Sequence, residues 1–161
     1  MLSEETKKKI LESRERFHDR RSAVIPALHA LQEEKGCVTE EGMDEIARLL
    51  ELSQSDVGGV ATFYSMFFKH PVGKYVLDVC TTLSCSLLGA EHLAHYLSEK
   101  LGIKVGETTE DGIFTLRTVE CLGACGNAPV MMVGDTYYEN LTPEKLNGIL
   151  DELRRKALES Q

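Results

Sequence analysis

Tyr75-Val76-Leu77-Asp78-Val79-Cys80-Thr81-Thr82-Leu83-Ser84-Cys85 is the stretch that decides the fold. Its first six residues are aromatic, β-branched and apolar and predict a strand, set off by the turn signal Pro71-Val72-Gly73. The strand ends on a cysteine, and a second follows in a C-x₄-C spacing. Phe114-Thr115-Leu116-Arg117-Thr118-Val119 repeats the pattern: a strand after the turn Thr109-Glu110-Asp111-Gly112, running into Cys121 and Cys125 as C-x₃-C. Between the two, Gly89 to Leu101 predicts a helix, because Leu93, Leu97 and Leu101 recur at i, i+4 and i+8 and Gly102 stops it. A strand–helix–strand order of this length fits a crossover between parallel strands. If those strands are neighbours, both cysteine loops leave the same edge of the sheet and four thiols converge.

Downstream, Pro129-Val130-Met131-Met132-Val133 starts a third strand in which at least one methionine faces the core. Gly134-Asp135 predicts a tight hairpin turn into Thr136-Tyr137-Tyr138. Thr142 caps a last helix, with Pro143 at its first position, Glu144 in its first turn and Leu146, Ile149, Leu150 and Leu153 as its inner stripe. The order β-α-β-β-β-α predicts a mixed four-stranded sheet with flanking helices, the pattern of thioredoxin-like folds.

Upstream, residues 1–70 carry helix signals and no strand signals. Ser3 caps a helix to about residue 18, with Ile10, Leu11 and Phe17 on one stripe. A second helix runs from about Ser22 to Lys35, with Pro26 in its first turn, Ala27, Leu28 and Leu31 on its apolar face and Gly36 as its stop. Thr39 caps a third, with Met43, Ile46, Ala47, Leu49 and Leu50 buried. Ser53-Gln54-Ser55-Asp56 has capping-box form and starts a fourth. Val60 to Phe68 is the most apolar stretch of the chain and reads as a core or interdomain segment, or more sharply as a partner surface. The expected organisation is therefore a helical bundle at 1–70 and an α/β sheet domain at 71–161.

The 161 residues carry 18 Lys plus Arg against 26 Asp plus Glu, a net charge of −8 that argues against nucleic acid as a partner. The 42% hydrophobic content is that of a globular chain with room for one or two cores. No apolar run is long enough to span or enter a membrane, and the N-terminus lacks the apolar region of a secretion signal. A cytoplasmic location with reduced thiols follows as the expectation. An odd count of five cysteines then favours metal or redox chemistry over a disulfide framework.

Several chemistries suit the four downstream cysteines. Zinc modules usually use tighter C-x₂-C knuckles, though spacings up to x₄ occur. A [2Fe–2S] cluster spreads four thiolates over two irons and suits wider loops. Leu122-Gly123-Ala124-Cys125-Gly126 is rich in small residues, so backbone N–H groups can approach sulfur. A thioredoxin-type dithiol requires C-x-x-C, which is absent. Asp78 and Glu120 would lower a nearby redox potential if they face the site; the plainer expectation is two solvated carboxylates. His92 and His95, at i and i+3, are expected on an exposed helix face, and Cys37 is expected to be a small packed residue. No G-x-G-x-x-G follows a strand and no P-loop is present, so no nucleotide site of the chain's own is expected.

At these residues the chain closely resembles the 24-kDa-type subunit family of respiratory NADH:quinone oxidoreductase (complex I). The matching words are Gly59-Val60-Ala61-Thr62-Phe63-Tyr64, Pro71-Val72-Gly73-Lys74-Tyr75, Cys80-Thr81-Thr82-Leu83-Ser84-Cys85, Asp111-Gly112-Ile113-Phe114-Thr115, Glu120-Cys121-Leu122-Gly123-Ala124-Cys125 and Ala128-Pro129-Val130-Met131. They occur in the family's order over about residues 20–155. The resemblance implies a helical bundle followed by a thioredoxin-like ferredoxin domain, with one [2Fe–2S] cluster on Cys80, Cys85, Cys121 and Cys125. It implies a one-electron-transfer subunit of an oxidoreductase with no substrate chemistry of its own. The implied partners are a flavoprotein subunit that binds NADH and FMN and a larger iron–sulfur subunit, in the peripheral arm of a membrane-bound complex. Related subunits occur in NAD-linked hydrogenases and formate dehydrogenases, and a zinc-stabilised interaction module is the alternative of a different class. One departure is Cys37, where the family often has tryptophan after the glycine.

Overall fold

The computed structural model describes residues 1–159, and its backbone divides into two compact units, the first Met1–Pro71 and the second from Val72 onward. The first unit holds α1 (Glu4–Arg16), a 3₁₀ turn (Arg20–Ala23), α2 (Val24–Lys35), α3 (Glu40–Leu50) and α4 (Gln54–Phe63). Local capping chemistry sets the starts of three of these helices. Ser3 Oγ accepts the Thr6 N–H at 3.2 Å, Thr39 Oγ1 the Gly42 N–H at 3.1 Å and Ser53 Oγ the Asp56 N–H at 3.1 Å. The Asp56 carboxylate in turn accepts the Ser53 N–H, which completes the capping box.

Four expectations for this unit are corrected. Helix α1 stops at Arg16 because Phe17 is already extended, and Leu11 and Phe17 are exposed, leaving Ile10 as the buried apolar residue of that helix. Leu11 lies about a hundred degrees around the helix from Ile10, and Phe17 lies beyond its end. The second helix begins at Val24, not Ser22, because the Asp19 carboxylate accepts the Arg21 N–H at 2.9 Å and winds the chain into a tighter 3₁₀ turn first. Met43 and Leu49 are only partly buried, at the margins of the α3 stripe. The stretch from Val60 to Phe68 is not uniformly core. Ala61 and Phe67 are buried, while Phe63 is 80% exposed and Tyr64 and Met66 are exposed too. Gln32 fixes the end of this stretch, accepting the Phe68 N–H at 2.7 Å and donating to the Met66 carbonyl at 2.9 Å. Cys37 is buried in the same unit.

The second unit holds β1 (Tyr75–Cys80), α5 (Leu83–Leu87), α6 (Ala90–Leu101), β2 (Phe114–Val119), a 3₁₀ turn (Cys125–Asn127), β3 (Met131–Val133), β4 (Thr136–Tyr138) and α7 (Pro143–Glu159). The sheet order is β2-β1-β3-β4. β1 and β2 run parallel from Tyr75 opposite Phe114 to Cys80 opposite Val119, and β1–β3 and β3–β4 are antiparallel. This is the mixed four-stranded sheet of a thioredoxin-like fold. The short helix α5 and the 3₁₀ turn after Cys125 are additions that periodicity did not signal.

Alternation along the strands sends Leu77, Val79, Phe114, Leu116, Met131 and Val133 to one face, where Leu93 and Leu97 of α6 and Leu146, Leu150 and Leu153 of α7 pack on them. Full burial of each such side chain contributes about 1.5–3 kcal/mol. The register puts Arg117, Asp78, Met132 and Tyr137 in one row across the opposite face. Gly73 marks the entry to β1. A Cβ there would lie 2.8 Å from the Phe114 carbonyl carbon and 2.9 Å from its nitrogen, and the Gly73 N–H donates to Thr115 Oγ1 at 2.6 Å.

Gly73→Ala forces backbone against backbone and should destabilise the protein by about 1–3 kcal/mol, read as a lower midpoint in chemical denaturation; an unchanged midpoint would refute the close approach. In the first unit the Lys35 ammonium, the Thr6 hydroxyl and the Ser3 N–H together hold the Glu34 carboxyl down to about 2, from an ordinary 4.5. A lowered folded value means that this stabilisation is complete above pH 4.5 and is lost as pH falls toward 2. Glu34→Gln should therefore flatten the acid limb of stability against pH in that window and leave the slope near neutrality unchanged.

Candidate metal centre

The in-register parallel pair is what assembles the cysteines. Cys80 is the last residue of β1, and Cys121 lies two residues beyond the end of β2 on the same edge. After Cys80 the chain passes through Thr81 and Thr82 into α5, whose single turn brings Cys85 back toward Cys80. Cys80 and Cys85 are only 2% and 3% exposed, packed with Ala90, Ala128 and Val130 and shielded by Leu122 and Ala124. The second loop is different. Cys121 and Cys125 are exposed, and their sulfurs lie 3.6 Å apart. The 3₁₀ turn from Cys125 closes with the Asn127 N–H on the Ala124 carbonyl, and the Asn140 N–H on the Asn127 carbonyl ties it to the chain after β4.

Backbone amides point at the sulfurs. Gly123 N–H donates to Cys121 Sγ at 3.4 Å. Burial works against the Cys80 thiolate, but the N–H groups of Thr82 and Leu122, with help from the Cys85 thiol, hold its pKa below the usual thiol value. Burial pushes Cys85 up, and the neighbouring Cys80 adds to it. Cys125 is pushed up by its hydrogen bond with Cys121 and by the charge there. Cys125 also senses the charge of Cys80, and Cys85 that of Cys125, so the two pairs occupy one electrostatic neighbourhood. Among the described residues, no three His, Cys, Asp or Glu side chains converge on a single metal-ion position. The sulfurs are arranged instead as a buried pair and an exposed pair.

The other residues singled out in the sequence fall outside this group. His92 and His95 lie on the exposed side of α6, with His95 near Glu99 at 3.4 Å. Glu120 is exposed and accepts from the Thr82 hydroxyl at 3.4 Å, a contact between the two cysteine loops. Asp78 is not the solvated carboxylate expected. It is largely buried and paired with Arg117, its cross-strand neighbour, at 2.8 Å, and burial nevertheless pushes its pKa up. Sequence reasoning missed this pair because it depends on the register between distant strands. It also missed Tyr137, whose hydroxyl donates to the Leu122 carbonyl at 3.0 Å. The helix α5 leaves Leu83, Leu87 and Leu88 exposed beside the cysteines. Five residues are too few to show a helical period, so the sequence carried no signal for that turn.

The chain is 47% identical over 139 residues to an NADH-quinone oxidoreductase subunit of Rhizobium meliloti, a match that covers 86% of this chain and 83% of the relative. It is 49% identical over 136 residues to NADH-quinone oxidoreductase subunit 2 of Thermus thermophilus, covering 84% and 75%. Among solved structures, an NAD⁺-reducing [NiFe]-hydrogenase in its air-oxidised state superposes with a TM-score of 0.70 at 18% identity, covering 83% of this chain and 23% of that one, a likeness of fold. The family model for thioredoxin-like [2Fe–2S] ferredoxins matches residues 8–154, and the chain belongs to that family.

Proposed function

We propose that Cys80, Cys85, Cys121 and Cys125 hold one [2Fe–2S] cluster and that the chain is an electron-carrying subunit of NADH:quinone oxidoreductase. Membership of a [2Fe–2S] ferredoxin family and identity near half with NADH-quinone oxidoreductase subunits support the class. What supports the ligand assignment is that a buried pair, Cys80 with Cys85, and an exposed pair, Cys121 with Cys125 at 3.6 Å, each follow one of two neighbouring parallel strands. Two pairs suit two irons.

Bound there, a [2Fe–2S] cluster supplies one-electron redox chemistry, whereas NADH gives up two electrons as hydride. The residues of this chain hold and tune the site. Cys80 and Cys85 supply thiolates from an apolar pocket, while Ala90, Ala128, Val130 and Leu122 keep water from that side. The N–H groups of Thr82, Leu122 and Gly123 stabilise negative charge on sulfur. No residue of the chain acts on substrate in this reading. FMN and NADH reside on an adjacent flavoprotein subunit, which exchanges electrons with this site, and a larger iron–sulfur subunit is the second neighbour. The chain then belongs to the peripheral arm of a membrane-bound complex, on the cytoplasmic side; among the described residues no helix is long and apolar enough to cross a membrane. The fold likeness to the hydrogenase keeps an equivalent subunit of a NAD-linked hydrogenase or a formate dehydrogenase as the second reading.

Anaerobically purified protein should be reddish-brown, contain iron and acid-labile sulfide in equal amounts, and bleach with dithionite to a paramagnetic state. Colourless protein with stoichiometric zinc would overturn the assignment. Cys121→Ala should abolish or destabilise the cluster, whereas Cys37→Ala, in the other unit, should leave its spectrum unchanged. Co-purification from the native host separates the parent complexes. A membrane assembly that reduces quinone supports the first reading, and a soluble hydrogen- or formate-oxidising assembly supports the second.

A further inference from the structure

The peptide group between Leu122 and Gly123 is bonded at both ends. Its carbonyl accepts the Tyr137 hydroxyl at 3.0 Å, and its N–H, on Gly123, donates to Cys121 Sγ at 3.4 Å. A peptide is a rigid plane with C=O and N–H pointing in opposite directions, so fixing one end aims the other. Aim is needed here because Gly123 sits at φ +80. With no Cβ, glycine tolerates either orientation of the peptide that precedes it, and the glycine supplies no lock of its own. The neighbouring amide, Leu122 N–H, is directed at Cys80, so this short stretch of backbone serves both cysteine pairs.

Tyr137 is well placed to be that lock. It lies on β4 opposite Met132 of β3, and its ring is carried by a paired strand rather than by the loop it touches. The far end of the loop is secured separately, by the Asn140 N–H on the Asn127 carbonyl and the Leu141 N–H on the Pro129 carbonyl. Removing the hydroxyl therefore frees one peptide group without freeing the loop. A hydroxyl bonded to the carbonyl also polarises the peptide and strengthens its N–H as a donor.

We infer that Tyr137 is a positioning residue for the metal centre: by bonding the Leu122 carbonyl it turns the Leu122–Gly123 peptide toward Cys121 Sγ, and so makes the site easier to reduce. The inference rests on the proposed ligand role of Cys121. An N–H···S bond favours the state with more negative charge on sulfur, so its loss moves the midpoint potential down.

The test is Tyr137→Phe in the full-length, cluster-loaded protein, beside Tyr138→Phe as the same chemical change one residue away. Redox titration followed by paramagnetic signal gives the potential, and hydrogen–deuterium exchange gives the protection of the Gly123 amide. Tyr137→Phe is expected to keep the wild-type iron and sulfide content, to show a more negative midpoint, and to exchange the Gly123 amide faster; Tyr138→Phe is expected to match wild type in all three. A purely structural role would alter cluster retention or thermal stability without moving the potential. A loaded Tyr137→Phe with a wild-type midpoint overturns the inference. If that variant does not retain its cluster, exchange compared with cluster-free wild type decides: faster exchange at Gly123 supports the lock, and unchanged exchange overturns it. Failure of the ligand reading is distinguishable, because Cys121→Ala would then keep full iron content and an unaltered spectrum.

Discussion

The parallel pairing of β1 with β2, residue for residue from Tyr75 opposite Phe114 to Cys80 opposite Val119, is the constraint on which the second unit depends. It places the ends of two strands, and the cysteine loops that follow them, on one edge of the sheet. Because side chains alternate, a slip of one residue in β2 would expose Phe114 and Leu116 and turn Arg117 into the core. The apolar face packed by α6 and α7 thus locks the register, and the register in turn brings the cysteines together. The stability of the core and the geometry of the site are two consequences of one alignment. The approach of Gly73 to the Phe114 backbone reinforces that alignment at the start of the pair.

The opposite face shows what the alignment permits beyond packing. Arg117 and Asp78 meet only because they are cross-strand neighbours, and their 2.8 Å contact offsets part of the cost of burying a carboxylate near the end of β1. In the same row, beyond Met132, Tyr137 stands on the edge strand within reach of the second cysteine loop. The row thus runs from a charge pair to the backbone that contacts sulfur, on rigid strands rather than on loops.

Much of this was legible in the sequence because the signals are local. Ser3, Thr39 and Ser53 cap by bonding amides three residues away, so a short window contains the whole interaction. The β-branched and aromatic runs at Tyr75 and Phe114, and the Gly134-Asp135 turn, specify strands and a hairpin in the same way. The convergence of the cysteines needed one further step, that neighbouring parallel strands open on the same edge. What stayed hidden is non-local or too short for periodicity. The five residues of α5 cannot establish a helical period. The tight turn from Arg20 depends on a single carboxylate bond from Asp19. The Asp78–Arg117 pair and the Tyr137–Leu122 bond require knowledge of register and of hairpin placement. Leu11 and Phe17 misled because an apolar side chain carries no mark of the side on which it lands.

The unequal burial of the four cysteines divides the site into a dry side and a wet side. Cys80 and Cys85 sit among alanines and a valine, where water cannot follow a change of charge, whereas Cys121 and Cys125 face solvent that can reorient around it. On the dry side the N–H groups of Thr82 and Leu122 stand in for water and offset the cost of burial at Cys80, whereas burial disfavours the thiolate at Cys85. The protein interior makes the place itself polar, with an inner wall that anchors and an outer wall through which charge communicates with whatever lies beyond.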